Sequence, residues 1–275
     1  MAEIQDINAL ADRIPDGAHL ALPPEYSFVP MQLVRCLIRR QARELRILCV
    51  PLGGLAVDML IGAGCVAEIE AAAVSLGENG LAPRFTDAVL SHRVSMKDST
   101  CPALHTALQA AEKGVPFMPL GGIIGSDIAA NRPDWRIVDD PMGQGNGRIL
   151  LIPAIRPDFA ILHSPLADRN GNVWIGRRRE LVTMAHAAKQ TLVTVESFTD
   201  TDLLADEKTA AGTLPALYVT ALAEAVGGAR PLALTGCYER DDGAIAAYAQ
   251  VARTDAGFAD YLARTVGAHA PEAAE

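Results

Sequence analysis

Two glutamates of the chain are candidates for carboxylate chemistry. Glu78 stands in the segment GENG (77–80), after an apolar run that predicts a strand over 66–75, and Glu196 ends a predicted strand over 191–196. Ligands of open α/β sheets collect at the carboxyl ends of strands, so both acids are expected at that edge. A desolvated carboxylate can attack a thioester if nearby amides receive the developing oxyanion. The spacing alone favours a solvated turn for Glu78 over a working carboxylate.

Glycines form a second set of candidates, because a residue without a Cβ lets its backbone amide approach a ligand closely. Gly53 and Gly54 follow a predicted strand over 45–50. Gly121 and Gly122 lie in the apolar, proline-rich and glycine-rich segment VPFMPLGGIIGSDIAANRPDW (115–135). We interpret this segment as a long loop against a partner subunit or a substrate, with a tightly packed loop as the equal alternative for the glycines.

Asp98 and His163 are weaker candidates for catalysis. Asp98, in SMKDST, is either an acid in the site or part of a helix cap, and the residue types favour the cap. His163 lies near the end of an apolar run. It is therefore expected to be a hydrogen-bonded core histidine rather than a catalyst.

Several common sites find no support in the sequence. It contains no GxxxxGK followed by Ser or Thr, no GxSxG and no HExxH, and its five cysteines form no CxxC. We therefore expect no metal site, no disulfide framework and no permanently bound cofactor.

Composition narrows the class of protein further. The 275 residues carry a formal net charge of −9, and 50% of them are apolar. An acidic surface disfavours a nucleic-acid partner, and the apolar runs are too short to cross a bilayer. The first residues, MAEIQDINAL, do not resemble a secretion signal. These features favour a cytoplasmic location, with neither nucleic acid nor a membrane as partner.

Apolar runs of strand length alternate with helical patterns, which predicts a parallel sheet with helices on both faces. Further strands are predicted over 18–22, 135–138, 148–152 and 158–163. Helices are predicted over 28–41, 81–92, 102–113, 179–189, 215–226 and 244–266, with another ending near 62.

A set of motifs resembles a known family when taken in order. The segments are PMQLVRCLIRR, VDMLIGAGCVAEIE, GENGLAPRF, LQAAEKGVPFMPLGGIIGSDI, VDDPMG, IPAIRPDFAILHSPLADRNGNVWIG and AAKQTLVTVESF. Together they resemble the A (alpha) subunit of family I CoA-transferases, in the branch of glutaconate CoA-transferase. The likeness runs from about residue 30 to residue 198.

The resemblance implies an α/β fold with an open, mixed but mainly parallel sheet flanked by helices, similar to the NagB/RpiA fold. It implies a single domain over 1–275, whose alanine-rich tail over 269–275 is expected from its composition to be disordered. It also implies a homologous partner, the B subunit, and coenzyme A, acyl-CoA and a free carboxylic acid as substrates. Enzymes of this family move CoA between acids through an acyl-glutamyl anhydride and a glutamyl-CoA thioester, on short or medium acyl groups such as glutaconyl.

The resemblance also bears on single residues. The family's nucleophilic glutamate usually belongs to the B subunit, in a motif close to Ser-Glu-Asn-Gly, so Glu78 is either a residue that lines the shared site or the nucleophile itself. The residues expected to contact substrate or coenzyme A are Gly53, Gly54, Asn79, Gly80, Asp98, Gly121, Gly122 and Ser126.

One departure from the family pattern leaves alternatives open. Where A subunits usually carry a glycine-rich loop after the first strand, this chain has LALPPEYSFVP (20–30). Prolines stiffen the turn and lack an amide proton. The same scaffold also carries acyl-CoA hydrolases and decarboxylases, for which Glu25, Glu78 and Asp98 are the acids to test. A non-catalytic half that binds CoA or stabilises its partner is the third possibility.

Overall fold

Strands and helices alternate along most of the chain, and the computed structural model describes residues 2–143 and 147–267. Its strands are β1 (Glu3–Ile4), β2 (His19–Leu22), β3 (Leu45–Cys49), β4 (Leu52–Gly53), β5 (Val66–Ala71), β6 (Ala73–Val74), β7 (Ser95–Asp98), β8 (Phe117–Leu120), β9 (Arg136–Asp139), β10 (Arg148–Pro153), β11 (Phe159–Asp168), β12 (Val173–Trp174), β13 (Gln190–Thr199), β14 (Thr213–Leu214) and β15 (Ala221–Glu224). Its helices are α1 (Ile7–Asp12), α2 (Met31–Arg39), α3 (Leu55–Gly62), α4 (Pro83–Leu90), α5 (Cys101–Glu112), α6 (Asp127–Ala130), α7 (Arg179–Ala187), α8 (Glu207–Ala210), α9 (Asp242–Val251) and α10 (Asp255–Thr265).

The main sheet has eight strands on one path, in the order β1-β15-β13-β11-β2-β3-β5-β7, and every neighbouring pair on it is parallel. The short strands β12 and β14 add antiparallel pairs beside β11. Helices α1, α2, α3, α9 and α10 cover one face, and α5 and α7 cover the other. The central strands are therefore apolar on both sides. The predicted fold class is confirmed.

A small antiparallel sheet, β8-β10-β9, contains the strands predicted over 135–138 and 148–152 together with β8, which lies in the segment predicted to be a long loop. The prediction was wrong for β8, which pairs with β10 from Leu120↔Leu150 to Phe117↔Pro153. Leu150, Ile152 and Trp135 bury their side chains against Ala103 and Ala107 of α5. Leu120, Ile123, Ile124 and Ile128 of the segment pack against the same cluster, which accounts for its apolar content.

The helix predicted over 215–226 is also wrong. The segment forms a 3₁₀ turn at Ala216–Tyr218 and then β15, which pairs with both β13 and β1. Alanine and leucine have high helix propensity, but pairing with a strand on each side overrides such preferences.

Smaller corrections concern helix ends. Thr100 caps α5 by accepting a hydrogen bond from the Ala103 amide, while Asp98 ends β7 and is not the cap. The helix predicted over 244–266 is two helices, α9 and α10, with Thr254 capping the second. The tail expected to be disordered, 269–275, lies outside the described residues. None of the helices in the described ranges is long and apolar enough to span a membrane.

A buried polar pair joins helix α9 to helices α3 and α4. The Tyr248 hydroxyl donates to Asp58 Oδ2 at 2.6 Å, and the Phe85 amide donates to Asp58 Oδ1 at 2.7 Å. Both side chains are fully buried. Burial raises the pKa of Asp58, and these two hydrogen bonds oppose that shift.

We predict that Tyr248→Phe lowers the free energy of unfolding by about 1–3 kcal/mol, because it leaves a buried carboxylate oxygen without its donor. Urea unfolding measures the change. Tyr218→Phe is the control, since Tyr218 is half-buried and stacks on His186. Equal effects of the two substitutions would contradict the role given to the Asp58 pair.

Candidate functional site at the carboxyl edge of the sheet

Glu25 occupies the start of helix α3. The Leu55 amide, at the first turn of α3, donates to Glu25 Oε1, and Arg240 Nη1 lies 3.1 Å from Glu25 Oε2. The carboxylate lies so close to Gly54 that a Cβ added there would overlap with it. A negative charge is stabilised at a helix N-terminus, where amide protons lack partners. Glu25 therefore fixes the loops after β2 and β3 and the segment before α9 to one another.

The loop around Glu25 has two further anchors. The Ser27 hydroxyl donates to Glu180 in the first turn of α7. Phe28 has a φ of 60°, and the guanidinium of Arg178 lies 3.7 Å from the centre of its ring. Tyr26, between these anchors, is 67% exposed. The two prolines and these contacts hold the Tyr26 side chain toward solvent at the sheet edge.

Glu78 lies on a short 3₁₀ turn, Gly77–Asn79, next to the Gly53 loop. Strand β4 pairs with β6, and the Ser75 amide donates to the Gly53 carbonyl at 3.1 Å, so the turn follows within a few residues. The Leu76 amide donates to the Gly80 carbonyl at 2.9 Å, and Gly80 has a φ of 89°, which favours glycine. Glu78 itself is exposed. The structure thus brings Glu78, Asn79 and Gly80 to the same edge as Gly53 and Gly54.

Glu196, in contrast, is fully engaged inside the protein. Its carboxylate accepts hydrogen bonds from the Gly227 amide at 2.8 Å, the Gly228 amide at 3.1 Å and the Tyr238 hydroxyl at 2.7 Å. His163 Nε2 lies 2.8 Å away, and this buried histidine is the hydrogen-bonded core residue that its position predicted. Burial pushes the pKa of Glu196 upward, but the hydrogen bonds outweigh it and hold the pKa below its usual value. Glu196 therefore fixes the 227–228 turn.

The remaining candidate residues lie on β7 and in the segment around the small sheet. Asp98 ends β7, the edge strand three positions from β2, and its carbonyl accepts a hydrogen bond from Arg132 at 3.0 Å. Gly121 and Gly122 follow β8 in the small sheet. Ser126 caps the short helix α6, its hydroxyl accepting from the Ala129 amide at 3.3 Å. Gly121, Gly122 and Ser126 thus lie in the region of the small sheet, whereas Asp98 pairs in register with Ala71 at the carboxyl end of β5.

Sequence reasoning missed Ser27, Glu180 and Arg240. Glu180 contacts Ser27 across 153 positions of the chain, and Arg240 contacts Glu25 across 215. Their pairing depends on two loops that meet only when the sheet forms. The sequence signal that could have pointed to these contacts is the loop PPEYS (23–27), in which a glutamate follows two prolines. Among residues 2–143 and 147–267, no group of three or more His, Cys, Asp or Glu side chains is arranged to hold a metal.

Exposed apolar side chains surround Glu25 and Glu78 along this edge. Tyr26 follows β2, Leu52 begins β4, Leu81 follows the Glu78 turn and Val226 follows β15. Their exposed fractions are 67%, 39%, 73% and 61%. Apolar residues grouped around a polar centre mark a surface that another molecule covers.

Comparison with known proteins identifies the family. Residues 4–225 match the family model described as Coenzyme A transferase. The chain therefore belongs to the coenzyme A transferase family, and the resemblance drawn from its motifs is confirmed.

Individual relatives extend over nearly the whole chain. The A subunit of 3-oxoadipate CoA-transferase from Pseudomonas knackmussii is 29% identical over 95% of this chain and 93% of its own length. The A subunit of glutaconate CoA-transferase from Acidaminococcus fermentans is 27% identical over 91% of this chain and 83% of its own.

Solved structures share the fold. The crystal structure of glutaconate coenzyme A-transferase from Acidaminococcus fermentans superposes with a TM-score of 0.88 at 24% identity, over 96% of this chain and 89% of that one. The crystal structure of a cysteine-to-serine variant of the decarboxylase AibA/AibB superposes with a TM-score of 0.85 at 28% identity, over 97% and 99%.

We predict that Gly54→Ala lowers the free energy of unfolding by about 1–3 kcal/mol, because the new Cβ displaces the Glu25 carboxylate. Gly121→Ala is the matched control, since nothing lies within 4 Å of a Cβ there and the residue has no positive φ. Chemical denaturation measures both.

A double substitution tests whether the Glu25 carboxylate causes this loss of stability. In a Glu25→Ala background the same Gly54→Ala substitution should cost little, because the overlapping carboxylate is gone. A cost that persists in that background would contradict direct contact between Glu25 and Gly54.

Proposed function

We propose that this chain is the A-type subunit of a two-subunit CoA-transferase, and that a B-type subunit covers the carboxyl edge of its main sheet. The observation that carries the proposal is the set of exposed apolar side chains around Glu25 and Glu78 at that edge. Membership of the coenzyme A transferase family supports it. So do the two relatives named as A subunits.

The proposed reaction moves CoA between carboxylic acids. A glutamate carboxylate attacks the acyl thioester and releases the CoA thiolate, leaving an acyl-glutamyl anhydride. The thiolate then attacks the glutamyl carbonyl, which releases the first acid and leaves a glutamyl-CoA thioester. The second acid takes CoA by the reverse steps. Water would hydrolyse the anhydride, so the protein must keep the site dry, and a covering subunit does so.

We assign a lining role to Glu78 and place the nucleophile in the partner subunit. Glu78 is exposed on a short turn, with no hydrogen bond from the described residues to orient it. A nucleophile is normally held within hydrogen-bond reach of groups that position it. Asn79, Gly80, Gly53 and Gly54 line the site beside Glu78 in this proposal, while Asp98, Gly121, Gly122 and Ser126 lie on the side toward the small sheet.

The acids exchanged are proposed to be dicarboxylates of short or medium length. The names of the two relatives, 3-oxoadipate and glutaconate CoA-transferase, both denote dicarboxylates. Coenzyme A enters as a substrate, and the proposal needs no permanently bound cofactor. We place the reaction in the cytoplasm.

A decarboxylase or hydrolase of acyl-CoA is the second candidate. The likeness to the decarboxylase AibA/AibB supports it. The loop that holds Glu25 supports it too, because it places a carboxylate where a glycine-rich loop is expected.

The test uses the chain assembled with a B-type subunit encoded by a neighbouring reading frame. We predict that incubation with a dicarboxylyl-CoA followed by borohydride traps a glutamyl adduct in the partner subunit. Mass spectrometry of both subunits locates it. Turnover should require the acceptor acid, and Glu78→Gln should lower the rate by roughly tenfold, about 1.4 kcal/mol of barrier.

Three results would overturn parts of this account. An adduct on Glu78, with a rate loss of about a thousandfold in Glu78→Gln, makes Glu78 the nucleophile. Equal turnover without acceptor acid makes the enzyme a hydrolase or decarboxylase. No adduct in either subunit rejects transfer through a glutamyl thioester. Asp260→Asn serves as the control, because Asp260 is an exposed acid on α10.

A further inference from the structure

Two arginine side chains near the carboxyl edge of the sheet lie over aromatic rings. The guanidinium of Arg178 is 3.7 Å from the centre of the Phe28 ring, and that of Arg230 is 4.4 Å from the centre of the Tyr238 ring. A cation over the face of a ring is attracted by the ring's quadrupole, and the planar guanidinium stacks well there. Both positive charges are therefore held in place by the protein itself.

Both arginines border one exposed turn, residues 234–238. Its two ends pair as an antiparallel bridge. Arg178 Nη2 donates to the Thr235 hydroxyl at 2.6 Å, and Arg230 contacts the turn through the ring of Tyr238. Thr235 and the two residues after it are exposed. Two guanidinium groups thus contact a turn whose tip is open to solvent.

This turn is fixed beside the candidate site. The Tyr238 hydroxyl donates to Glu196 at 2.7 Å and accepts from the Ala229 amide at 2.9 Å, which joins it to the turn after β15. Two residues after Tyr238, Arg240 pairs with Glu25 at the start of α3. The two stacked arginines therefore lie next to the loops that Glu25 holds at the carboxyl edge.

Neither arginine forms an ion pair with a carboxylate in the described ranges, 2–143 and 147–267. Burial lowers the pKa of Arg178, and the nearby Glu180 opposes that shift. The Glu180 carboxylate, however, accepts its hydrogen bond from Ser27. Arginine stays ionised at any physiological pH, so two fixed positive charges in this part of the chain have no bonded anion.

More positive charge lies beside Arg178. Arg177 and Arg179 flank it in sequence at the start of α7, and both are exposed. The whole chain carries a formal net charge of −9, so this cluster opposes the overall balance. Adjacent like charges repel one another, and a bound anion relieves that repulsion. An anion with more than one negative charge is what such an edge attracts.

A phosphate ligand suits the two stacked groups better than the carboxylate of a short acid. The guanidinium presents its donors in a planar fork, which binds either anion through two parallel hydrogen bonds. A single carboxylate brings one charge, whereas coenzyme A carries a diphosphate and a 3′-phosphate, with several charges on separate groups. One such ligand supplies an anion to each arginine.

We propose that Arg178 and Arg230 bind the phosphate groups of coenzyme A beside the 234–238 turn. Phosphate oxygens accept hydrogen bonds from both guanidinium groups, and the exposed Arg177 and Arg179 add attraction at longer range. This site rests on the proposed function, which makes coenzyme A a substrate. It gives this chain the end of coenzyme A that lies far from the thioester, and no covalent bond is made or broken there.

Calorimetric titration of the chain assembled with its B-type partner tests the site with three probes: coenzyme A, adenosine 3′,5′-bisphosphate and pantetheine. We expect saturable binding of the first two. Pantetheine, which lacks the phosphates, should bind at least about tenfold more weakly than coenzyme A. The affinity for coenzyme A should fall as the salt concentration rises, because salt screens exposed charges.

Substitution of either arginine separates the charge from the shape of the group. Arg178→Gln and Arg230→Gln should each weaken coenzyme A binding at least about tenfold. Arg178→Lys and Arg230→Lys keep the charge but lose the planar fork, so they should weaken it less. Arg253→Gln is the matched control, because Arg253 is an exposed arginine just after α9, and it should leave the affinity unchanged.

Contact with acids of the partner subunit is the alternative use of these arginines. Sedimentation of the mixed subunits measures it, and we expect both Gln variants to assemble as the parent chain does. Assembly that weakens at least about tenfold, with an unchanged affinity of the assembled complex for coenzyme A, would assign the arginines to the partner and overturn the phosphate site.

Three other results would also overturn the site. They are the absence of saturable coenzyme A binding, equal binding of coenzyme A and pantetheine, and an unchanged coenzyme A affinity in both Gln variants. Failure of the proposed function looks different. A complex that binds coenzyme A through these arginines but transfers nothing rejects the transferase and keeps the site, whereas transfer with unchanged affinity in both variants does the opposite.

Discussion

The carboxylate of Glu25 at the N-terminus of α3 is the interaction on which the candidate site depends. It accepts the Leu55 amide, pairs with Arg240 and lies against the Cα of Gly54. Three segments distant in the chain are held at one point by a single side chain. Because the helix dipole and an arginine both stabilise the negative charge, the loop after β2 keeps one position. Tyr26 and the Glu78 turn are arranged around that point.

This arrangement explains why the edge is polar at its centre and apolar at its rim. Glu25 satisfies the helix terminus from within the chain, while Tyr26, Leu52, Leu81 and Val226 remain exposed. A second subunit that buries this rim would exclude water from the centre. Exclusion of water is the main demand of the proposed anhydride chemistry, so in that proposal one surface serves both assembly and catalysis.

Much of the fold could be predicted from the sequence, and the reasons are physical. Apolar runs of strand length with helices between them specified the parallel sheet, since strands covered on both faces are apolar throughout. The prediction failed for β15, where alanine and leucine suit a helix but pairing with β13 and β1 decides. It failed again for β8, because a proline-rich and glycine-rich segment is typical of a loop. Packing on α5, which no local pattern shows, stabilises the strand.

The site was predictable only in part. Gly53, Gly54 and the Glu78 turn were placed at the carboxyl edge by their position after strands, which the topology fixes. The contacts of Glu25 with Arg240 and of Ser27 with Glu180 span most of the chain, so no local pattern reveals them.

Hydrogen exchange of the Leu55 amide tests the central claim most directly. As a first-turn residue of α3, Leu55 has no acceptor within the helix, so its protection depends on Glu25. We expect Glu25→Ala to accelerate this exchange at least about tenfold, while the Asn8 amide, which donates to Asp6 at 2.9 Å, stays unchanged. Equally slow exchange of Leu55 in both proteins would show that Glu25 does not hold the start of α3, and would contradict the account.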